Sequence, residues 1–503
     1  MKLNKENLKR IAASSKLSIP DITSFDLPEK VLQFGTGVLL RGLPDYFINK
    51  ANQQGIFNGR VVLVKSTEKG STDSFKEQDS LYTIGIRGIK DFKKIEENII
   101  SSAISRVLSA KTEWQKILDV AASEELEIII SNTTESGIVL IQDNIHQGTP
   151  KSFPGKLLAV LYHRYRVFNG DQEKGLVVLP TELITDNGLK LKNIVLELAK
   201  QNQLEAGFLQ WFESCTFCNT LVDRIVPGKP DVNTLNSLEK ELGYQDDLFI
   251  FSEVYSLWAI EGEERISKVL SFSKVDSTIV ITPDISIYKE LKLRLLNGTH
   301  SLTCAVAFIA GLETVHDAMN DDQLSGYIAD LMKTELAPGI PYPIDREKAL
   351  EFSANVMDRF RNPSIRHEWL SISMNYTLKL QLRVVPVLLC YYERFQKVPE
   401  YIAFGFAAYL RFMKGKKVDT AYFGTIADKQ YQIDDQYAEY YSGLWSEYTS
   451  NELVPIALSQ IKLWGSDLTQ LPGFARSVSI HLQKIEDTGL EEAIKSLKIE
   501  FSF

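Results

Sequence analysis

Short β-branched runs alternate with helix-spaced segments through the first half of this chain, and few folds accommodate that order. "KVLQFGTGVL" begins as a strand and ends in glycines, and "LPDYFINKANQQG" then has helical spacing up to Gly55. "RVVLVKS", "EIIISNTTESG" and "KGLVVLPTEL" are further apolar runs that end in polar residues. Between them "SSAISRVLSAKTEWQKILDVAAS" reads as helix. Strands alternating with helices imply a parallel α/β sheet with right-handed crossovers. From about residue 285 the pattern changes to long helical periodicity, as in "ISIYKELKLRLLNGTHSLTCAVAFIAGLETVHDAM" and "EYIAFGFAAYLRFMKG". The expectation is a Rossmann-type α/β domain over residues 1–285 and a mostly α-helical domain over 286–503.

Composition excludes several classes. The net charge of −9 argues against a nucleic-acid partner, since a phosphate backbone calls for a basic excess. No run of about 20 apolar residues could span a bilayer, so no membrane partner is expected. The first twenty residues carry charges throughout and lack an apolar core, which excludes a secretory signal and leaves the cytoplasm as the expected location. Four cysteines are too few for a disulfide scaffold at this length. Cys215 and Cys218 have C-x-x-C spacing, but no second ligand pair follows, so no metal site is expected. On a strand these two side chains would point to opposite faces. Oligomeric state is not legible.

Gly35-x-Gly37 follows the first strand directly. In a dinucleotide-binding unit the first glycine makes the tight turn and the second admits a pyrophosphate to a helix N-terminus. The third glycine position holds Leu40. An acid at the end of the second strand would bind the adenosine ribose. That strand ends in Lys65 and Ser66, with Glu68 the nearest acid, so the residue types there are also compatible with a 2′-phosphate.

Further on, "LKLRLLNGTH" places Lys292, Asn297 and His300 among leucines. On an α-helix, with Lys292 at zero, His300 falls at about 80° and Asn297 at about 140°, one broad face. Burial would lower the pKa of such a lysine and fit it for proton transfer to and from an alcohol oxygen. An amide aimed at the same oxygen stabilises negative charge, and a histidine can orient hydroxyls. Hydride transfer between an alcohol carbon and a nicotinamide requires that set and requires no metal. A solvated lysine with a capping Asn-Gly and an ordinary histidine is the competing reading.

Lys-x4-Asn-x2-His resembles the catalytic signature of the polyol-specific long-chain dehydrogenases, the mannitol dehydrogenase family. "FCNTLVDRIVP" resembles a second family segment, and Gly35, Gly37, Leu39 and Arg41 fit its G-x-G-x-[F/L]-x-R turn, in which the third glycine is absent. "QDSLYT" and "RFRNPSIRH" also resemble family segments. Within the family, "LQFGTGVLLRGLPDYF" and "SISMNYTLKLQLRVVP" look most like members that act on keto-uronates.

The resemblance implies NAD as cofactor and a small-molecule uronate as substrate. It implies Lys292 as general acid/base, Asn297 as an oxyanion-hole amide, and His300 and Lys379 as substrate contacts. Gly35, Gly37, Arg41, Glu68, Glu135 and Asp223 fall on the cofactor side. The family's second oxyanion asparagine has no clean counterpart in "PTELITDNG": either one amide suffices or Asn187 substitutes. A uronate carboxylate calls for a cation, and Arg366, Lys379 and Arg383 are available. A mannitol-type polyol dehydrogenase and a non-catalytic nucleotide sensor are the alternatives.

Overall fold

The computed structural model describes residues 1–66, 71–133 and 137–500. The chain divides into two units: Met1–Arg87 with Lys94–Ile285, and Gly88–Lys93 with Ser286–Phe503. Residues 88–93 thus group with the second unit, which no sequence signal announces. Among the described residues no helix is long and apolar enough to cross a membrane.

In the first unit six strands, β1 (Glu29–Phe34), β2 (Arg60–Lys65), β3 (Ile104–Ser109), β4 (Ile128–Ser131), β5 (Val177–Pro180) and β6 (Thr216–Phe217), form one sheet. Their order is β3-β2-β1-β4-β5-β6 and every neighbouring pair is parallel. This is the doubly wound order of dinucleotide-binding folds, with the strand order reversing between β1 and β4. The apolar runs are continuous because both faces are covered. Successive residues feed opposite cores: Val61 and Leu63 on one side, Val62 and Val64 on the other. One core takes Phe47, Ile48 and Ala51 of the helix Pro44–Gln53. The other takes Ile117, Leu157, Leu191 and Phe208 from four further helices.

Two details bear on the sequence reading. The stretch read as one helix over 101–123 is in fact β3 followed by the helix Trp114–Ala121. Ile104, Val107 and Leu108 have spacing that also fits a helix, but their pairing with β2 makes them a strand. Cys215 and Cys218 flank β6 and enter opposite cores, and burial pushes both thiols up to about 12. Such thiols are inert packing groups.

The second unit is mostly helical. It opens with α1 (Ser286–Leu291), which continues through a π-helical turn (Lys292–Asn297) into α2 (Gly298–Ile309). Residues 298–307 of α2 are all buried, so α2 is the central helix of the unit. Around it lie α3 (Arg346–Phe360), α4 (Tyr376–Arg383) and α6 (Glu400–Phe412), with α5 (Val385–Phe395) packed on α4. A small antiparallel sheet of Gly415–Val418, Ala421–Ile426 and Lys429–Gln432 interrupts the helices, an element the helical reading did not contain.

Candidate active site

In the first unit the switch in strand order puts the glycine turn at the carboxyl edge of the sheet, where ligands of such folds bind. Gly35 follows β1 with φ +134, and an added Cβ would meet the Asn132 carbonyl and Leu40 Cδ1 at 3.0 Å. Only glycine fits there. Leu40 is fully buried, so the residue in the third glycine position packs back on the first. Gly37 has ordinary φ and N-caps the helix Val38–Gly42, and a Cβ on it would meet nothing within 4 Å. That open corner is the room a phosphate group needs. At the end of β2 the Ser66 hydroxyl is buried without a hydrogen-bond partner, an orphan that a ribose hydroxyl would satisfy. These features fit a dinucleotide. Glu68 and Glu135 lie outside the described residues.

Arg41 is not at that corner. It is buried, donates through Nη1 to the Leu248 carbonyl at 2.7 Å, and lies over the rings of Phe75 and Tyr82. The cofactor contact expected of it is replaced by a structural one, because its side chain runs into the core beneath the turn. Asp223 is buried at the end of the strand Thr220–Asp223. The next residue, Arg224, donates to the carbonyls of Gly42 (2.7 Å) and Glu253 (2.8 and 2.9 Å).

Asn187 is also a correction. Its Nδ2 donates to the carbonyls of Pro180, Glu182 and Thr220 at 3.0–3.1 Å, and its Oδ1 accepts from the N–H groups of Thr220 and Gly188 at 2.9 Å. With every polar atom engaged by buried backbone, this amide has no hydrogen left for a substrate oxygen. The neighbouring Glu182 is likewise a strut: it accepts from the Ser131 hydroxyl and from the N–H and hydroxyl of Thr133.

In the second unit the π turn reorganises the polar residues. Its bonds run from residue i to i+5, as in the Gly298 N–H donated to the Leu293 carbonyl. Lys292 and Asn297 are the two ends of this turn, and its wider winding brings them nearer to one face than the separation of about 140° that α geometry would set. Both are half-buried. Two arginines clasp this turn to α4. Arg294 donates to the carbonyls of Leu382 (2.5 Å) and Arg383 (3.1 Å) and pairs with Glu290 at 2.9 Å. Arg383 returns the contact, donating to the Ser301 hydroxyl at 3.1 Å and the Asn297 carbonyl at 3.4 Å.

His300 is 8% exposed, and its Nε2 has no hydrogen-bond partner. Phe360 stacks on the ring at 4.4 Å, and His367 stands nearly perpendicular at 4.9 Å. Burial, then His367, Arg359, Arg383 and Lys379, hold its proton affinity well below the ordinary imidazole value. His300 is therefore neutral, with a ring nitrogen free to bond a ligand. Lys379 is half-buried and donates to the Ile372 carbonyl at 2.8 Å, and burial with Arg383 lowers its pKa. Burial lowers that of Arg383 as well.

Lys292, Asn297, His300, Lys379 and Arg383 are thus carried by two helical segments that are tied together. Arg366 is elsewhere: it is exposed and pairs with Glu368 at 2.8 Å and Glu313 at 3.6 Å. The residues that join the cluster in its place are Arg359 and His367. Both lie in the same "RFRNPSIRH" segment, but only tertiary packing shows which of its basic residues turn inward.

Comparison with known proteins agrees with this architecture. The mannitol dehydrogenase Rossmann domain matches residues 29–274, and the mannitol dehydrogenase C-terminal domain matches residues 284–486. Altronate oxidoreductase of Bacillus subtilis (strain 168) is 38% identical over 478 residues, 94% of this chain and 96% of its own length. That of Halalkalibacterium halodurans is 36% identical over 485 residues, 94% of each chain. Among solved structures, Pseudomonas fluorescens mannitol 2-dehydrogenase, in ternary complex with NAD and D-mannitol, superposes with a TM-score of 0.67 at 24% identity, covering 99% of this chain and 100% of that one. This chain belongs to the mannitol dehydrogenase family of oxidoreductases.

Proposed function

We propose that the chain interconverts D-tagaturonate and D-altronate with NAD(H), in the cytoplasm. The observation that carries this reading is the pair of cations Lys379 and Arg383 on α4, tied to the Lys292–Asn297 turn where Arg383 bonds the Asn297 carbonyl and the Ser301 hydroxyl. Two cations one helical turn apart suit a sugar acid, which presents a carboxylate to them. The curated relatives cited above are altronate oxidoreductases, which supports the same substrate.

A nicotinamide bound through the glycine turn would supply hydride for the ketone carbon. Lys292 delivers the proton to the ketone oxygen as the C–H bond forms, and removes it from the alcohol in the reverse direction. The Asn297 amide donates to that oxygen while it carries negative charge. Neutral His300 bonds a substrate hydroxyl through its available nitrogen. Lys379 and Arg383 face the carboxylate. Ser66 would bond the adenosine ribose and the open corner at Gly37 would take the pyrophosphate.

Oxidation of NADH by purified protein is the test, with D-tagaturonate, D-fructuronate and D-fructose compared at equal concentration. Tagaturonate is expected to be the fastest substrate. Fructose turned over as efficiently would replace this reading with a mannitol-type polyol dehydrogenase. NADH is expected to outperform NADPH, and faster turnover with NADPH would show that Lys65 and Ser66 select a 2′-phosphate.

A further inference from the structure

Helix α5 ends and helix α3 begins at one cavity of the second unit. It holds about 450 Å³, and Lys333, Arg346, Tyr391, Arg394, Phe395 and Lys397 line it, with no carboxylate among the lining residues. Lys333 comes from a π-helical turn, Leu331–Leu336, Arg346 opens α3, Arg394 is in the last turn of α5, and Lys397 follows it. Among the described residues none of these four cations is paired with an acid, and Arg394 donates to the Pro338 carbonyl at 2.6 Å. The negative end of α5 is covered, since the Gln396 N–H and its Nε2 both donate to the Tyr392 carbonyl at 2.9 Å. Lys397 acts on Glu335, but that carboxyl is buried, bonds the Tyr401 and Ile402 N–H groups, and is pushed up to about 8, so it brings little negative charge at neutral pH. Tyr391 and Phe395 lie one turn apart on α5 with ring centroids at 4.7 Å. Tyr391 is buried, whereas Phe395 is 44% exposed and leaves ring surface uncovered beside the cations. The cavity is separate from the candidate reaction site. Ala349 of α3 lines it, and Phe360, which stacks on His300, lies eleven positions further along the same helix, about 16 Å away.

We propose that this cavity is a second, non-reacting site that binds a nucleoside phosphate. The phosphates lie among Lys333, Arg346, Arg394 and Lys397, and the base lies on the ring of Phe395. Four cations with no acid among them repel one another, and a multiply charged anion removes that repulsion while accepting charge-assisted hydrogen bonds. The volume is that of a small-molecule site. An inorganic anion would leave the rings and most of that volume unused. A nucleoside base fills both, because every base has a face that stacks on an aromatic ring.

The test is calorimetric titration of the full chain with ADP and with pyrophosphate, comparing wild type with the double variant Lys333→Glu, Arg346→Glu. Both positions are exposed and neither belongs to the reaction site, so kcat and the KM for NADH are expected to stay unchanged. Wild type is expected to bind one equivalent of ADP more than the variant, whatever the glycine turn itself takes up. Phe395→Ala is expected to weaken that additional equivalent by about 5- to 100-fold and to leave pyrophosphate binding at the cavity unchanged, because only the base uses the ring. Equal ADP stoichiometry in wild type and the double variant would overturn the proposal. So would pyrophosphate binding the cavity as tightly as ADP, or Phe395→Ala leaving ADP unaffected, since either result makes this a site for simple anions. If the double variant does not fold, Lys397→Glu, also at the surface, is read by the same titration.

Discussion

Glu335 offers a sharp test of how the second unit is held together. It sits in a second π-helical turn, Leu331–Leu336, and is 4% exposed. Its two carboxyl oxygens accept the N–H groups of Tyr401 (2.9 Å) and Ile402 (2.8 Å), in the first turn of α6. Helix α6 packs against α2, which carries His300, so this carboxyl pins the scaffold of the candidate site. Burial raises its pKa from 4.5 to about 8, despite the opposing backbone hydrogen bonds. The folded chain therefore keeps a proton that the unfolded chain releases. The resulting stability is fully present below about pH 4.5 and is lost as pH rises to about 8. A shift of that size corresponds to about 5 kcal/mol across the window.

Glu335→Gln removes the titration and also turns an N–H₂ group towards one of the two buried donors. The lost bond costs roughly 1–3 kcal/mol at every pH. At pH 5 the variant is expected to melt below wild type. At pH 8.5, where wild type has lost its protonation advantage, the variant is expected to melt above it, with the curves crossing near about pH 6. Each kcal/mol moves the melting temperature of a unit this size by about 2–4 °C, so the reversal is measurable by circular dichroism on the full chain. Other titrating groups cancel in the difference between the two proteins. A difference that stays constant from pH 5 to 8.5 would refute the account.

Lys292→Ala is expected to reduce turnover in both directions by about 100-fold or more while NADH still binds, as fluorescence titration would show; near-normal turnover removes Lys292 from the mechanism. Lys379→Met is expected to weaken uronate reduction about 10- to 100-fold more than fructose reduction, the loss of a charge-assisted hydrogen bond; equal effects on the two substrates would take the carboxylate away from Lys379. Asn187→Ala is expected to lower stability by about 2–4 kcal/mol, because it strands several buried backbone groups. If instead the melting temperature holds while kcat falls, Asn187 is an oxyanion donor after all.

The contrast between Asn297 and Asn187 shows what spacing carries and where it stops. The parallel sheet is legible because burial on both faces writes itself as continuous β-branched runs such as Val61–Val64, and no helix needs that composition. The set of Lys292, Asn297 and His300 is legible for a related reason: three polar groups in an otherwise apolar helix have to be explained by something other than packing. The π turn that draws the first two towards one face leaves no mark, since a change from i→i+4 to i→i+5 bonding depends on what clasps the helix from outside. Here that clasp is the Arg294–Arg383 exchange with α4, eighty-nine positions away along the chain from Arg294. Asn187 and Arg41 misled for the same reason. A residue type states which hydrogen bonds a side chain can make, but only the assembled neighbours state which are already used. Asn187 exhausts its amide on four backbone partners besides its own neighbour's N–H, and Arg41 turns its guanidinium inward, to the Leu248 carbonyl and the rings of Phe75 and Tyr82. His367 is the converse case. Its sequence neighbours Arg366 and Glu368 pair at the surface, and only tertiary packing sets its ring 4.9 Å from that of His300.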